Sequence, residues 1–95
     1  MTAVIITVAA ERDLEEIADF ISRDNPRRAI TFITELRDRC HKIATFPEAA
    51  PLRPELGEGI RAVTYRGYLL IYWTRPELAF VLRIVHGARN LPDLL

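Results

Sequence analysis

The stretch IRAVTYRGYLLIYWTRPELAFVLRIVH, residues 60–86, decides the fold. Three apolar runs of strand length occupy residues 60–65, 68–74 and 79–86. Connections as short as Arg66-Gly67 and Arg75-Pro76-Glu77 favour hairpins between these runs. A proline cannot continue a central ladder, so Pro76 marks a true break. We therefore predict three consecutive antiparallel strands.

Upstream of these strands the hydrophobic pattern changes. Residues 3–8, AVIITV, are mostly β-branched and predict a first strand. From Ala10 the apolar residues recur at helical spacing, at Leu14, Ile17, Ala18 and Ile21. Asn25-Pro26 suits the start of a second helix, since asparagine caps exposed amides and proline fits the first turn. The apolar stripe of that helix comprises Ala29, Ile33, Leu36, Cys40 and Ile43.

The predicted element order is β-α-α-β-β-β. Because about two residues join the helices, they should fold back as an antiparallel hairpin. The second helix should end near Phe46-Pro47, and residues 47–59 should form a loop. We predict an α+β fold in which the helical hairpin packs on one face of a mostly antiparallel sheet. The length of 95 residues predicts a single domain, residues 1–95.

Composition narrows the functional classes. Thirteen basic and thirteen acidic residues give a net charge of zero. This argues against a protein whose whole surface binds nucleic acid, because such domains are usually strongly basic. No apolar run approaches the roughly 20 residues of a membrane span. The N-terminus lacks the basic segment of a secretory signal, and the single cysteine forms no disulfide framework. We therefore expect a cytoplasmic protein.

Catalytic and metal-binding motifs are not evident in the sequence. Cys40 and His41 are adjacent on a helix and so point about 100° apart, which prevents joint chelation. Ser22 is the only serine, and no nucleophile elbow surrounds it. Residues 57–59, Gly-Glu-Gly, lack the Gly-Lys-Ser/Thr sequence of a phosphate-binding loop. The sequence predicts no metal, no cofactor and no catalytic nucleophile.

Polar residues on the strands are the remaining candidates for function, namely Arg61, Arg83, His86 and Arg89. Residues 59–91 contain five arginines and one acidic residue, so this part of the chain carries a local charge of +4. Strand alternation places Leu82, Ile84 and His86 on one face and Val81, Arg83 and Val85 on the other. Two interpretations stay open: a recognition or catalytic surface, or an arginine on the solvated face and a histidine at a strand end.

The run Tyr68 to Trp73, YLLIYW, is apolar at both alternating sets of positions. Either both faces of the sheet are covered within the chain, or one face is open to a protein partner. A chain of 95 residues with only two helices has little material to cover both faces of a sheet. This favours the second explanation, in which a protein partner covers one face. The candidate contact residues are Tyr68, Leu70, Tyr72 and Trp73.

An ordered set of short motifs carries a family resemblance. The motifs are AERDLEEIADFI at 10–21, NPRRA at 25–29, Phe46-Pro47, Arg61, YLLIY at 68–72 and IVHGAR at 84–89. Together they resemble the RelE/ParE superfamily of type II toxin–antitoxin toxins, and ParE most closely. Asn90 stands where the family commonly has aspartate.

The resemblance implies a bacterial toxin that a ParD-like antitoxin holds inactive, with DNA gyrase as the target and no catalysis by the toxin itself. It implies no cofactor. We expect the antitoxin at Tyr68, Leu70, Tyr72 and Trp73. The target contacts are expected at Arg61, Arg83, His86 and Arg89.

The related RelE branch supplies a competing hypothesis, a ribosome-dependent mRNA endonuclease. Such an enzyme activates a 2′-hydroxyl and neutralises phosphorane charge, for which Arg61, Arg83, His86 and Arg89 are the available groups. The single lysine, the lack of tyrosine after Tyr72 and the neutral charge argue against it. A non-toxic module that only binds an antitoxin is a third hypothesis.

Overall fold

Two helices and four strands follow one another within residues 2–87, the part of the chain that the computed structural model describes. The elements are β1 (Ala3–Ile6), α1 (Val8–Ser22), α2 (Pro26–Lys42), β2 (Ile60–Tyr65), β3 (Tyr68–Arg75) and β4 (Leu78–His86), with a short 3-10 helix at Pro54–Leu56. This order confirms the predicted β-α-α-β-β-β arrangement.

Thr7 sets the boundary between β1 and α1. Its hydroxyl accepts a hydrogen bond from the Ala10 backbone N–H at 3.2 Å and donates one to the Leu82 carbonyl at 3.0 Å. The prediction that the strand continues to residue 8 was therefore wrong: β1 ends at Ile6 and α1 begins at Val8. A threonine at the N-cap satisfies an orphan amide, and this outweighs the β-propensity of the valine that follows.

The second helix begins as predicted. The Asn25 side chain accepts from the Arg28 N–H at 3.1 Å, and Pro26 occupies the first turn. The helix ends at Lys42, before the predicted limit at Phe46-Pro47. Its last turn carries the basic residues Arg39, His41 and Lys42, and positive charge near a helix C-terminus interacts favourably with the helix dipole. Neither helix in residues 2–87 is long and apolar enough to cross a membrane.

The sheet has the strand order β1-β4-β3-β2 and is antiparallel except for the parallel pair β1 and β4. Arg66 and Gly67 connect β2 to β3 with φ angles of 47° and 85°. Two consecutive left-handed residues are typical of the type I′ turn that suits hairpin twist. Because β1 pairs with β4 only as far as Val81, no strand within residues 2–87 pairs with the second half of that edge of β4.

A β-bulge interrupts the pairing of β3 with β4. Ile71 pairs with Arg83 whereas Tyr72 pairs with Val81, so Leu82 is an extra residue in β4. The predicted alternation along this strand was therefore wrong at the bulge. Val81 packs in the same cluster as Ile84, and Leu82 packs with Val85.

Both faces of β3 are buried within the chain. On one face, Leu70 and Tyr72 lie beneath the helices with Leu14, Leu36, Cys40, Val81 and Ile84. On the other face, Leu56 of the 3-10 helix packs with Ile60, Ala62, Leu69, Ile71 and Val85. Of the two explanations for the doubly apolar run, internal coverage therefore accounts for residues 69–72, because a loop side chain supplements the two helices.

Cys40 provides a test of this core. It is fully buried, and burial raises the pKa of its thiol to about 12. The ordinary pKa of a cysteine thiol is near 8.5. Below about pH 8.5 the thiol is neutral in both the folded and the unfolded chain, so its burial contributes fully to stability. As the pH rises toward 12 the unfolded chain ionises first, and this contribution is lost. At pH 8 we expect no reaction of the native thiol with a disulfide reagent such as DTNB, and reaction of one thiol per chain in 6 M guanidinium. Rapid labelling of the native protein would contradict this packing; Cys40→Ala is the blank.

Candidate functional site

The Arg83 guanidinium binds Asp13 of α1 in a bidentate ion pair. Arg83 Nε lies 2.8 Å from Asp13 Oδ2, and Arg83 Nη2 lies 2.9 Å from Oδ1. The side chains are 22% and 7% exposed, and the hydrogen bond to Asp13 raises the pKa of Arg83. Asp13 Oδ2 also accepts from the Ile84 backbone N–H at 2.9 Å. The carboxylate thus occupies the β4 edge that β1 leaves unpaired, and it ties α1 to β4.

The interpretation of Arg83 as a solvated surface residue was wrong, because Asp13 was missed as its partner. The sequence did contain a signal. Asp13 follows Ala10 by three residues and precedes Ile17 by four, so it lies on the buried stripe of α1. An acidic residue within an apolar stripe requires a buried cation or donor, and the arginine within the apolar strand 80–85 supplies it.

His86 lies at one end of a cleft of about 450 Å³ between α1 and the end of β4. Its ring meets that of Tyr68 edge-on, with 5.4 Å between the centroids. The cleft walls carry Asp13, Glu16 and Asp19 as well as Arg23. Apart from His86, three of the four ionisable side chains of Asp, Glu and Arg that line the cleft are acidic, in contrast to the basic surface that the charge of residues 59–91 suggested.

Arg61 holds the loop that follows α2. Its Nη1 donates to the Glu48 carbonyl at 3.0 Å and to the Ala50 carbonyl at 2.6 Å. Tyr72, which pairs with Arg61 across β2 and β3, donates its hydroxyl to the Pro47 carbonyl at 2.7 Å. Burial raises the pKa of Tyr72, so the hydroxyl remains a donor. Arg61 and Arg83 thus each bind a separate part of the fold, and Arg89 lies outside the described residues.

The residues expected to contact an antitoxin differ in accessibility. Leu70 and Tyr72 are 0% and 1% exposed, so their side chains belong to the core in this conformation. Tyr68 is partly buried and packs against Phe32, with 5.7 Å between ring centroids. Trp73 is partly buried with the opposite cluster, and the Arg75 guanidinium lies 4.1 Å from its ring centroid. The two accessible candidates therefore lie on opposite faces of the sheet.

Catalytic groups are sparse in the described part of the chain. Within residues 2–87, no three or more His, Cys, Asp or Glu side chains are arranged to hold a metal ion. The Cys40 thiol is buried and, with its raised pKa, remains protonated at neutral pH. Arg61 and Arg83 donate to protein acceptors.

Comparison with known proteins identifies the class. Residues 4–91 match the family model for the ParE toxin of the type II toxin–antitoxin system parDE. The chain belongs to this family of ParE toxins. A chain from the chromosomal ParDE TA system of P. aeruginosa has a similar fold, with a TM-score of 0.78 and 19% identity, over 90% of this chain and 96% of that chain. No curated protein sequence matches the chain.

The Asp13–Arg83 pair predicts a specific stability loss. Asp13→Ala leaves a largely buried guanidinium and the Ile84 N–H without the carboxylate, so we expect the free energy of unfolding to fall by about 3 kcal/mol. The control is Glu15→Ala on the exposed side of α1, expected within about 0.5 kcal/mol of the parent. Urea denaturation measures both. Equal midpoints for the two variants would contradict the assigned role of the pair.

The Tyr72 hydroxyl predicts a smaller effect. Tyr72→Phe removes the hydrogen bond to the Pro47 carbonyl and should lower the free energy of unfolding by about 1 kcal/mol. Tyr68→Phe is the matched control, because no described residue hydrogen-bonds that hydroxyl. Thermal denaturation followed by circular dichroism compares the two. An unchanged stability in Tyr72→Phe, equal to that of the parent and of Tyr68→Phe, would contradict the role assigned to the Tyr72 hydroxyl.

Proposed function

We propose that this chain is the toxin of a parDE pair, that a ParD-like antitoxin neutralises it, and that it inhibits DNA gyrase without catalysing a reaction. The observation that carries the proposal is the match to the ParE toxin model over residues 4–91. The similar fold in the ParDE system of P. aeruginosa supports an antitoxin as the partner. Action on gyrase places the toxin in the cytoplasm.

The hydrogen bonds of the arginines support a protein inhibitor over an mRNA endonuclease. An endonuclease directs cationic groups at the phosphorane and activates the 2′-hydroxyl. Arg61 instead binds backbone carbonyls, and Arg83 binds the Asp13 carboxylate. Guanidiniums with these partners are poorly placed to neutralise a transition state. The zero net charge of the chain also disfavours a ribosome-bound nuclease.

Exposed apolar side chains support a partner that wraps around the toxin. Large hydrophobic residues stand more than 40% exposed on several elements, namely Ile5, Val8, Phe20, Ile30, Phe46 and Leu52. Tyr68 and Trp73 add partly exposed rings on opposite faces of the sheet. A single flat interface does not reach all of these, whereas an extended antitoxin segment does.

The test uses purified gyrase, supercoiled plasmid and ATP, titrated with this protein. We expect linear DNA covalently attached to gyrase, and its disappearance when the antitoxin encoded in the same operon is added. No effect on DNA, together with cuts in mRNA on translating ribosomes, would replace the proposal with the endonuclease. No effect in either assay, and no growth arrest on induction, would favour the non-toxic module.

His86 separates the two mechanisms further. Because we assign no general base to the toxin, His86→Ala should retain growth arrest within about threefold of the parent when induced without antitoxin. His41→Ala, an exposed histidine on α2, is the matched control. Complete loss of toxicity in a His86→Ala protein with an unchanged melting temperature and unchanged binding to gyrase would support the endonuclease.

A further inference from the structure

Three arginines surround two stacked aromatic rings where α2 meets the β2–β3 turn. The Phe32 and Tyr65 rings stack with 6.1 Å between centroids. The Arg28 guanidinium carbon lies 5.0 Å from the Phe32 centroid, and those of Arg39 and Arg66 lie 5.3 Å and 5.6 Å from the Tyr65 centroid. We call these five residues the arginine–aromatic surface.

One carboxylate lies within this surface. Glu35 accepts hydrogen bonds from Arg28 and from the Tyr65 hydroxyl, and its Oε1 lies 3.5 Å from Arg66 Nε. These partners hold the pKa of Glu35 below its ordinary value, so it is ionised at neutral pH. Among the described residues no other carboxylate ion-pairs with these arginines. Three cations against one anion leave a local excess of +2, with Arg39 unmatched by an acidic group.

The arginine–aromatic surface continues into a shallow apolar groove through Arg39. The groove holds about 310 Å³. Lys42 adds a second cation beside Arg39, while Ile43, Phe46 and Val63 provide apolar walls. Phe46 is 72% exposed, so the groove has an open hydrophobic side. Cationic side chains of α2 therefore lie next to an apolar groove that the segment after α2 and the edge strand β2 line.

The chemistry of this surface and its groove defines the ligand. Guanidinium planes that cover aromatic rings keep their N–H edges available for bidentate contact with carboxylates. The Arg28–Glu35 pair shows that a carboxylate fits this geometry. An apolar groove next to the cations favours a protein segment over a phosphate backbone, which offers no apolar side chains.

We propose that the arginine–aromatic surface and its groove dock an acidic segment of the antitoxin, with carboxylates at Arg39, Lys42 and Arg66 and apolar side chains against Phe46 and Val63. This inference rests on the proposed function, since the occupant is the antitoxin. It deepens that function by naming the surface and the chemistry of the segment. Binding brings carboxylates to cations that no described acidic group fully neutralises, and it covers the exposed phenylalanine.

The test measures the Kd of the full-length chain for the antitoxin encoded in the same operon, by calorimetry in 0.1 M NaCl. The double variant R39Q/R66Q should bind at least tenfold more weakly than the parent. The control R12Q/R53Q makes the same change in net charge outside this surface and should bind within about threefold. In 0.5 M NaCl the difference between the two double variants should shrink, because salt screens exposed charges.

The outcomes separate the inference from the proposed function. If the parent chain does not bind the antitoxin, both are overturned. If the parent binds and the two double variants lose affinity equally, this surface is not the docking site while the toxin–antitoxin assignment remains. A 20-base-pair DNA duplex serves as the third ligand. Loss of duplex binding in R39Q/R66Q with unchanged antitoxin binding would make the surface a nucleic-acid site and overturn the inference.

Discussion

The ion pair between Asp13 and Arg83 is the interaction on which the arrangement of the domain depends. β1 is only four residues long, so one edge of the second half of β4 has no paired strand among residues 2–87. The Asp13 carboxylate takes the place of a strand there, since it accepts from the Ile84 N–H and from the Arg83 guanidinium. Without a buried acceptor there, α1 would pack on an edge with an unsatisfied amide and a poorly hydrated cation, each of which costs free energy. The pair therefore holds the helical hairpin in register with the sheet.

Two further constraints complete the packing. The bulge at Leu82 places Val81 and Ile84 on the same face of the sheet, in the core beneath the helices. Leu82 and Val85 pack on the opposite face, so the side chains of β4 do not alternate strictly between the two faces. Arg61 and Tyr72 donate hydrogen bonds to three backbone carbonyls of the loop after α2. These bonds satisfy acceptors that the loop itself does not pair. Polar residues of the strands thus stabilise loops and edges. Their role in the fold explains why they do not converge on one reactive centre.

The arginine–aromatic surface and its groove form a cationic and apolar region beside α2. The rings of Phe32 and Tyr65 carry arginines on their faces, and a groove beside Arg39 ends at the exposed Phe46. Such a surface costs little in the isolated toxin because the guanidiniums remain hydrated at their edges. It gains free energy when a partner supplies carboxylates and apolar groups together.

Sequence alone determined the element order and the hairpin turns, because hydrophobic period, capping residues and turn chemistry are local. The end of β1 is an exception, because β-propensity predicts a strand as far as residue 8. The Thr7 hydroxyl caps α1 and also donates to the Leu82 carbonyl, so the strand ends before it. The resemblance to the ParE family rests separately on the ordered motifs between residues 10 and 89. Only the tertiary structure decided that Arg83 pairs with Asp13 across 70 positions and that Arg61 binds carbonyls of a loop. It also decided that the side chains of Leu70 and Tyr72 are buried, and that the Tyr65 ring contacts an arginine of α2 and another of the β2–β3 turn. These long-range contacts depend on a register shift and on helix placement. A local pattern, such as an acid on the apolar stripe of α1, indicates that a charge needs a partner but not the geometry in which a distant side chain meets it.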